Sequence, residues 1–357
     1  LMMGNGLGGT LVGIRAELAG FNTVVSGIVM SGYFAGFLFG SRLIPRALSS
    51  VGHIRVFAAM ASVASASVLI HAVSESAPTW FVLRSATGMC MAGLYLVVES
   101  WLNDLASNEN RGRLLSIYMI ISVGGLAAGQ LLVTIGNPLA VGLFVVSSVL
   151  VSISLVPITL SATTTPPPIR QAKRLRLAEL VQIVPTGVAV SFFGGIAAGV
   201  LIGMGAVYAT SVGLSPGRTA IFVSAPLVGG VLFQFPIGLM SDRFSRRGVI
   251  FVVAAMCAIV AFSLGLTAPG GSTSMILMLA LGGLLFPLYS LGLAYSNDWL
   301  TDDQRLGAAS TLITVNGAGA LAGPLLAAAL MGRFGAAHFF TVLVAVHVLI
   351  VAYVGVR

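Results

Sequence analysis

Gly238-Leu-Met-Ser-Asp242-Arg243-Phe-Ser-Arg246-Arg247-Gly248 runs directly into Val249-Ile-Phe-Val-Val-Ala-Ala-Met-Cys-Ala-Ile-Val-Ala-Phe-Ser-Leu-Gly-Leu266. From Val249 to Leu266 there is no Asp, Glu, Lys, Arg or His. At about 1.5 Å of rise per residue such a run, wound as a helix, is long enough to cross a bilayer core. A lipid-facing strand would alternate apolar and polar residues over about ten positions, and this run does not. A charged hinge followed by an uninterrupted apolar helix is therefore the unit from which the fold is read.

The same unit recurs along the chain. Of 357 residues, 57% are hydrophobic and 8% charged, against roughly 25% charged in a soluble domain. Mean hydropathy is +1.03. So few charges cannot cover a protein of this size with a water-compatible surface, so lipid is its solvent over most of its area. In lipid only helices and closed barrels satisfy their own backbone groups, and the pattern selects helices.

Twelve spans are predicted: Leu1–Ile14, Thr23–Phe39, Val56–Val73, Trp80–Asn103, Leu114–Ile135, Leu139–Leu160, Leu180–Tyr208, Thr219–Met240, Val249–Leu266, Ser274–Asn297, Leu306–Met331 and Ala337–Val356. The first opens as a span already under way, so a few residues are expected to precede it. Basic residues alternate between the ends. Arg42, Arg46, Arg55, Arg111, Arg113, Arg170, Lys173, Arg174, Arg176, Arg243, Arg246, Arg247, Arg305 and Arg357 fall at one, and only Arg15, Arg84, Arg218 and Arg333 at the other. The positive-inside rule then places the first set, and both termini, in the cytoplasm. The same distribution turns the net charge of +8 away from nucleic acid and toward topology. Cys90 and Cys257, the two cysteines, sit within apolar runs and read as small core residues. His71, His338 and His347 lack metal-ligand spacing and read as structural.

Between spans six and seven, Thr163-Thr-Thr-Pro-Pro-Pro168 cannot continue a helix, because proline lacks the amide donor. Arg170, Lys173, Arg174 and Arg176 follow with spacing suited to a helix on anionic lipid, or to orientation alone. This divides the chain into residues 1–160, a cytoplasmic linker 161–177, and residues 178–357. The two parts repeat one another. Gly40 pairs with Gly238 and Trp101-Leu102 with Trp299-Leu300, each 198 residues on. Gly125-Leu-Ala-Ala-Gly-Gln-Leu-Leu132 pairs with Gly319-Ala-Leu-Ala-Gly-Pro-Leu-Leu326, 194 residues on. Parallel repeats related by an axis along the membrane normal place a substrate site at their junction, near the midplane.

The Gly238–Gly248 loop, a glycine followed by an acid, a base and two further bases, resembles the signature loop of the major facilitator superfamily. Ser245 stands where a second glycine is usual. The matching loop, Gly36-Phe-Leu-Phe-Gly40-Ser-Arg42-Leu-Ile-Pro45-Arg46 and then Val51-Gly-His53-Ile-Arg55, lacks the acid. With Glu99-Ser-Trp101-Leu-Asn103 and Asn110-Arg-Gly-Arg113, the chain looks most like the YcaD-like bacterial branch. The resemblance implies an all-α membrane protein of the major facilitator fold, with twelve transmembrane helices as two pseudo-symmetric six-helix bundles. It also implies a cytoplasmic gate at Gly40, Arg42, Arg46, Arg111, Arg113, Gly238, Asp242, Arg243, Arg246 and Arg247. Arginine can form forked bonds to carboxylates there and release them when the halves rock; equally, these residues can serve topology alone. Asp242 is expected near a helix N-terminus.

Ionisable residues inside spans are costly and mark function. Arg84, Gly88, Tyr95 and Glu99 share one face of span four at 100° per residue. Some 22 Å of rise separates Arg84 from Glu99, so they cannot pair. Glu99 is the candidate for proton coupling, or else a structural carboxylate held by Arg111, Arg113 or backbone amides. Arg84 either holds an anionic group or snorkels to the outer interface. Asn5, Tyr33, Tyr95, Gln130, Gln234, Tyr289 and Asn316 are cavity candidates, or polar contacts between helices.

Enzyme chemistry has no visible constellation. Gly4-Asn-Gly6-Leu-Gly8-Gly9 fits GxGxxG but lies in span one without a preceding strand, and reads as close-packing glycine. Lys173 is the sole lysine, so no phosphate loop exists. No cofactor or metal is expected. The expected function is secondary transport of a small organic solute, proton-coupled and in the efflux direction, by a monomer in the bacterial inner membrane, with membrane lipid around it. The rivals are a transporter-like sensor or anchor, and a lipid or lysolipid flippase.

Overall fold

The computed structural model describes residues 1–105, 111–160 and 175–356. Among them there is no strand. Helices run in the order α1 (Met2–Leu18), α2 (Thr23–Val51), α3 (His53–Val73), α4 (Ala77–Leu105), α5 (Arg111–Leu131), α6 (Gly142–Ile153), α7 (Leu155–Thr159), α8 (Leu177–Ile183), α9 (Pro185–Gly199), α10 (Gly205–Ser211), α11 (Pro216–Arg243), α12 (Arg246–Leu266), α13 (Ser272–Asn297), α14 (Asp302–Phe334) and α15 (His338–Val356). A 3-10 turn, Leu132–Ile135, extends α5, and a π-helical stretch, Val200–Met204, joins α9 to α10. Among the described residues, eleven crossing segments are long and apolar enough to span a membrane, with α6–α7 and α9–α10 each counting as one. The shorter α1, at 17 residues, is the twelfth.

Three boundaries differ from expectation. Span two does not stop at Phe39: α2 continues to Val51 with Pro45 inside it. Span seven begins at Pro185 rather than Leu180, since the short α8 ends at Val184 and the helix restarts with proline at its first turn, where no amide is required. Span six is broken at Ser154. Thr311 Oγ1 donates to the Leu175 carbonyl at 2.6 Å and ties the end of the linker to α14. The remaining linker, 161–174, lies outside the described residues, as does the Arg111 side chain.

The repeat is visible in backbone-to-backbone contact. A Cβ placed on Gly6 would strike the Leu126 carbonyl, and one on Gly199 the Ala320 carbonyl. Likewise Gly129 faces the Met3 carbonyl and Gly323 that of Ile196. These two pairs are the same contact, α1 on α5 and α9 on α14, at the register read from sequence. Without a hydrophobic drive between helices in lipid, such small-residue seams are what holds neighbours together. The GxGxxG glycines serve this purpose: Gly4 presses on Ser147 and Gly6 on Leu126.

The ends of the molecule differ. The end bearing the α2–α3 and α11–α12 loops, rich in arginine, is called the basic end; the opposite is the far end. One apolar cluster joins the halves. Its N-terminal members, among them Leu7, Leu11, Val29, Met30 and Trp80, lie in the central and far parts of their helices and merge with Val207, Ala327 and Ala328. Toward the basic end the core splits. Ile44, Phe57, Cys90, Leu94 and Val97 form one cluster, and Leu180, Leu300, Ala308 and Leu312 another.

Candidate functional site

The far end is closed by helix contacts that leave no room for side chains. Gly27 of α2 abuts Ala328 and the Pro324 carbonyl of α14; Gly332 of α14 meets Val24; Gly13 of α1 meets Ala206 of α10. In the same region Arg15 donates to the Pro138 and Leu139 carbonyls and pairs with Glu75 at 3.3 Å. Among the described residues, α4 and α5 make no extended packing on α13 or α14 toward the basic end.

Inside the N-terminal half, α2 and α4 are pressed together by Gly36 against Ser85 and Gly88 against the Tyr33 carbonyl. That close approach carries Arg84 onto Tyr33. The guanidinium Cζ lies 4.8 Å from the Tyr33 ring centroid, a cation–π contact. Arg84 is only 6% exposed, its Nε is buried without a partner, and no ion pair or hydrogen bond from it is present among the described residues. Arg84 therefore does not snorkel outward. Below it, on the solvent side of the outer turn, Trp80 is fully buried against Phe21 and His71 and blocks that route. A charge placed in a membrane helix in this way costs roughly 3 kcal/mol on insertion scales.

Around Arg84 the candidates from sequence converge. Asn5 Nδ2 donates to the Tyr33 hydroxyl at 3.3 Å, drawing α1 to α2. Tyr33 and Phe37 rings are 6.4 Å apart, and Phe37 is 6.2 Å from Tyr95 of α4, forming an aromatic ladder along the α2–α4 seam. The Tyr95 hydroxyl meets Met2 Sδ at 3.1 Å. Four turns nearer the basic end, Glu99 is exposed and accepts a hydrogen bond from the Tyr118 hydroxyl of α5 at 3.2 Å. Tyr289 of α13 lies within electrostatic range of Glu99 from the other half, its own hydroxyl buried without a partner.

Other candidates scatter. Gln234 is exposed and donates to Ser290 Oγ at 3.1 Å, lining with Gly238, Ser241, Asp242 and Arg246 a cleft of about 180 Å³ between α11 and α13. Asn316 Nδ2 donates to the Ser191 carbonyl at 3.0 Å, a contact between helices. Gln130 is 7% exposed with its Oε1 unpaired. His71 and His347 each turn Nδ1 to a carbonyl one helical turn back, and no metal-capable group of three His, Cys, Asp or Glu exists among the described residues.

At the basic end, Arg246 pairs with Asp242 at 3.5 Å and with Asp298 at 2.8 Å, and donates to Ser241 Oγ at 3.3 Å. Arg247 places two nitrogens on the Val354 carbonyl, at 3.0 and 2.8 Å, closing the last turn of α15. All of these contacts lie within the C-terminal half. Asp242 sits in the last turn of α11, three residues before the Ser245 cap of α12. Ser245, at the usual glycine position, is the cap of α12 instead and accepts from the Gly248 amide at 3.0 Å. Arg42, Arg46, Arg113 and Arg243 are exposed. Asp298 was missed from sequence, although it directly precedes the repeat marker Trp299.

Comparison with known proteins decides the family. Residues 186–357 match the model of the Major Facilitator Superfamily, and residues 10–163 that of the Sugar (and other) transporter family. The chain belongs to the major facilitator superfamily. It is 29% identical over 321 residues to the uncharacterized MFS-type transporter YcaD of Escherichia fergusonii, covering 86% of this chain and 80% of that protein. With the uncharacterized MFS-type transporter YfkF of Bacillus subtilis it shares 26% over 344 residues, 92% and 85% of the two chains. The crystal structure of a variant of the nucleoside transporter NupG superposes with a TM-score of 0.83 at 14% identity, over 99% of this chain and 96% of the other. That of a D-xylose-proton symporter gives 0.76 at 14% identity, again over 99% and 96%. At such identities the superpositions speak to the fold of this facilitator.

Proposed function

We propose that this facilitator is a secondary transporter that moves a small organic solute by alternating access, coupled to protons through Glu99 and working in the efflux direction. The observation that supports this reading best is the divided core. One apolar cluster seals the halves together centrally and at the far end and continues to the basic end in the C-terminal half alone, at Val249, Ile250 and Val354, while the N-terminal half has a separate cluster there. A bundle pair joined at one end only has the form of one state of a rocking carrier. The excess of arginine at the open end makes that end cytoplasmic, with both termini on the same side of a bacterial inner membrane. The units that rock are residues 1–160 and 178–357, joined by the linker 161–177, and a monomer is sufficient.

Glu99 suits proton coupling by position. It is exposed at the basic end of α4, where its carboxylate accepts a hydrogen bond from the Tyr118 phenol of α5. The sequence repeat pairs Glu99 with Asn297, but the glycine contacts of α4 and α13 set the offset at 194 and pair it with Leu293; neither can titrate, so the coupling belongs to one half. Few buried charges favour an apolar or singly charged solute.

The test is a proteoliposome screen of small organic solutes with and without an imposed pH gradient. Glu99→Gln should abolish the gradient-driven component and keep solute exchange at zero gradient. Gradient-driven flux unchanged in Glu99→Gln would remove Glu99 from the mechanism. Absence of flux for every solute tested would remove the transport reading itself.

A further inference from the structure

Arg84 lacks the partner that a buried cation ordinarily has. It is enclosed at 6% exposure, its Nε is orphaned, and no carboxylate among the described residues pairs with it; Glu75 pairs with Arg15 at the far end. What touches Arg84 is the face of Tyr33. A cation–π contact fixes the plane of the guanidinium without using its donors, so the forked edge is oriented and unoccupied. The Tyr33 hydroxyl accepts from Asn5, which leaves its own proton to donate. Beside this pair run Phe37 and Tyr95, each half-buried, at ring separations of 6.4 and 6.2 Å along the ladder.

We propose that Arg84 is the recognition group for a single anionic group, a carboxylate or sulfonate, on an aromatic or apolar solute whose ring packs against Tyr33, Phe37 and Tyr95. This rests on the transport reading and adds the substrate class to it. Planar carboxylate matches the guanidinium fork bidentately, and aromatic walls match an aryl body. The charge count sets the limit. Gly88 against the Tyr33 carbonyl recurs as Gly282 against that of Pro226, an offset of 194 between α4 and α13, so the residue matching Arg84 is Met278 and the C-terminal half offers no second cation at the symmetric place. A phosphomonoester, close to a dianion at neutral pH, would carry one charge without a match.

The assignment makes a prediction that needs no knowledge of the natural solute. A cation buried for a ligand's sake destabilises the empty protein, whereas a cation buried for packing stabilises it. The full chain is purified into phosphatidylcholine nanodiscs, and its thermal midpoint is read alone and with benzoate, 2-naphthoate or benzenesulfonate, against benzamide and 2-naphthamide. In the expected result the anions raise the midpoint of the wild type and the amides do not. Ligand-free Arg84→Gln melts about 2 °C higher than wild type and no longer responds to the anions. Arg84→Lys keeps the charge but loses the fork, and its response is reduced. A lower ligand-free midpoint in both Arg84→Gln and Arg84→Met overturns the proposal, and so does an equal anion response in wild type and Arg84→Gln. Flux separates the two readings. Benzoate stabilisation without flux of any solute removes transport and leaves the anion site. Flux of benzoate, equal in wild type and Arg84→Gln, leaves transport and removes the anion site.

Discussion

At the basic end the two halves make the same junction with different chemistry. In the C-terminal half Arg246, in the first turn of α12, reaches back to Asp242 in α11 and across to Asp298 after α13. In the N-terminal half the first turn of α3 presents His53, whose Nε2 lies 3.1 Å from Ser100 Oγ in α4. His53 also stacks on Trp101, ring centroids 6.2 Å apart, whereas Trp299, next to Asp298, is 63% exposed. A charged clamp on three helices thus faces a neutral, aromatic contact on two. Deeper in the membrane the asymmetry inverts: Arg84 is in the N-terminal half and Met278 occupies its mate. The backbone repeat has been kept while the charges have been divided, gate chemistry to one half and solute and proton chemistry to the other.

That contrast requires the helix seams to be equivalent, and the most disruptive substitutions test this. Gly129→Val and Gly323→Val each drive a side chain into a neighbouring carbonyl, Met3 and Ile196 respectively. Each should cost about 3 kcal/mol or more, since overpacking against backbone has nowhere to relax. Both variants should lose most of the monodisperse protein recovered by gel filtration. Gly124, which has nothing within 4 Å of a built Cβ, is the control, and Gly124→Ala should be neutral to slightly stabilising. If only one of the two valine variants fails, the seams are not equivalent and the halves cannot be compared residue by residue.

How far this plan was legible follows from the kind of interaction involved. Crossing segments and the repeat are written in hydropathy and glycine register, which survive in one dimension. Arg84, Tyr95 and Glu99 could be put on one face of α4 by periodicity alone. The direction Arg84 takes from that face could not, because it depends on Trp80, Phe21 and His71 packing over the outer turn. Pro45 within α2 hid the extension to Val51, since proline is read as a helix end although its lost bond and clash fall on the preceding turn, here near the aqueous end. Asp298 as the partner of Arg246 needs the α11–α13 approach, which no loop motif records.

Removing the hub of each junction gives an intermediate effect. Arg246→Ala deletes two ion pairs and the bond to Ser241, and should lower stability by about 1 to 2 kcal/mol, discounted because Asp242 and Asp298 are 67% and 49% exposed. His53→Ala loses one neutral hydrogen bond and a ring contact, about 1 kcal/mol. Thermal unfolding of the two variants side by side measures the difference. A His53 variant that destabilises more than the Arg246 variant would reverse the comparison and put the stronger junction in the N-terminal half.

The smallest effect is the most specific. A double-mutant cycle between Arg246→Ala and Asp298→Ala should return a coupling of about 0.5 to 1 kcal/mol at low ionic strength. Near 1 M salt the screening length falls to about 3 Å, comparable to the 2.8 Å between Arg246 Nε and Asp298 Oδ2, so most of the long-range part is lost and the coupling should drop by about half. The equivalent cycle between His53→Ala and Ser100→Ala involves no full charge while His53 is neutral, and its coupling should not move with salt at pH 8. Both cycles join the first turn of the third helix of a half to the basic end of the fourth, one at α3 and α4 and the other at α12 and the residue after α13. A salt-independent Arg246–Asp298 coupling would mean that the pair acts as a hydrogen bond fixed by packing. The C-terminal clamp would then be as rigid as the N-terminal one and no more easily released when the halves rock.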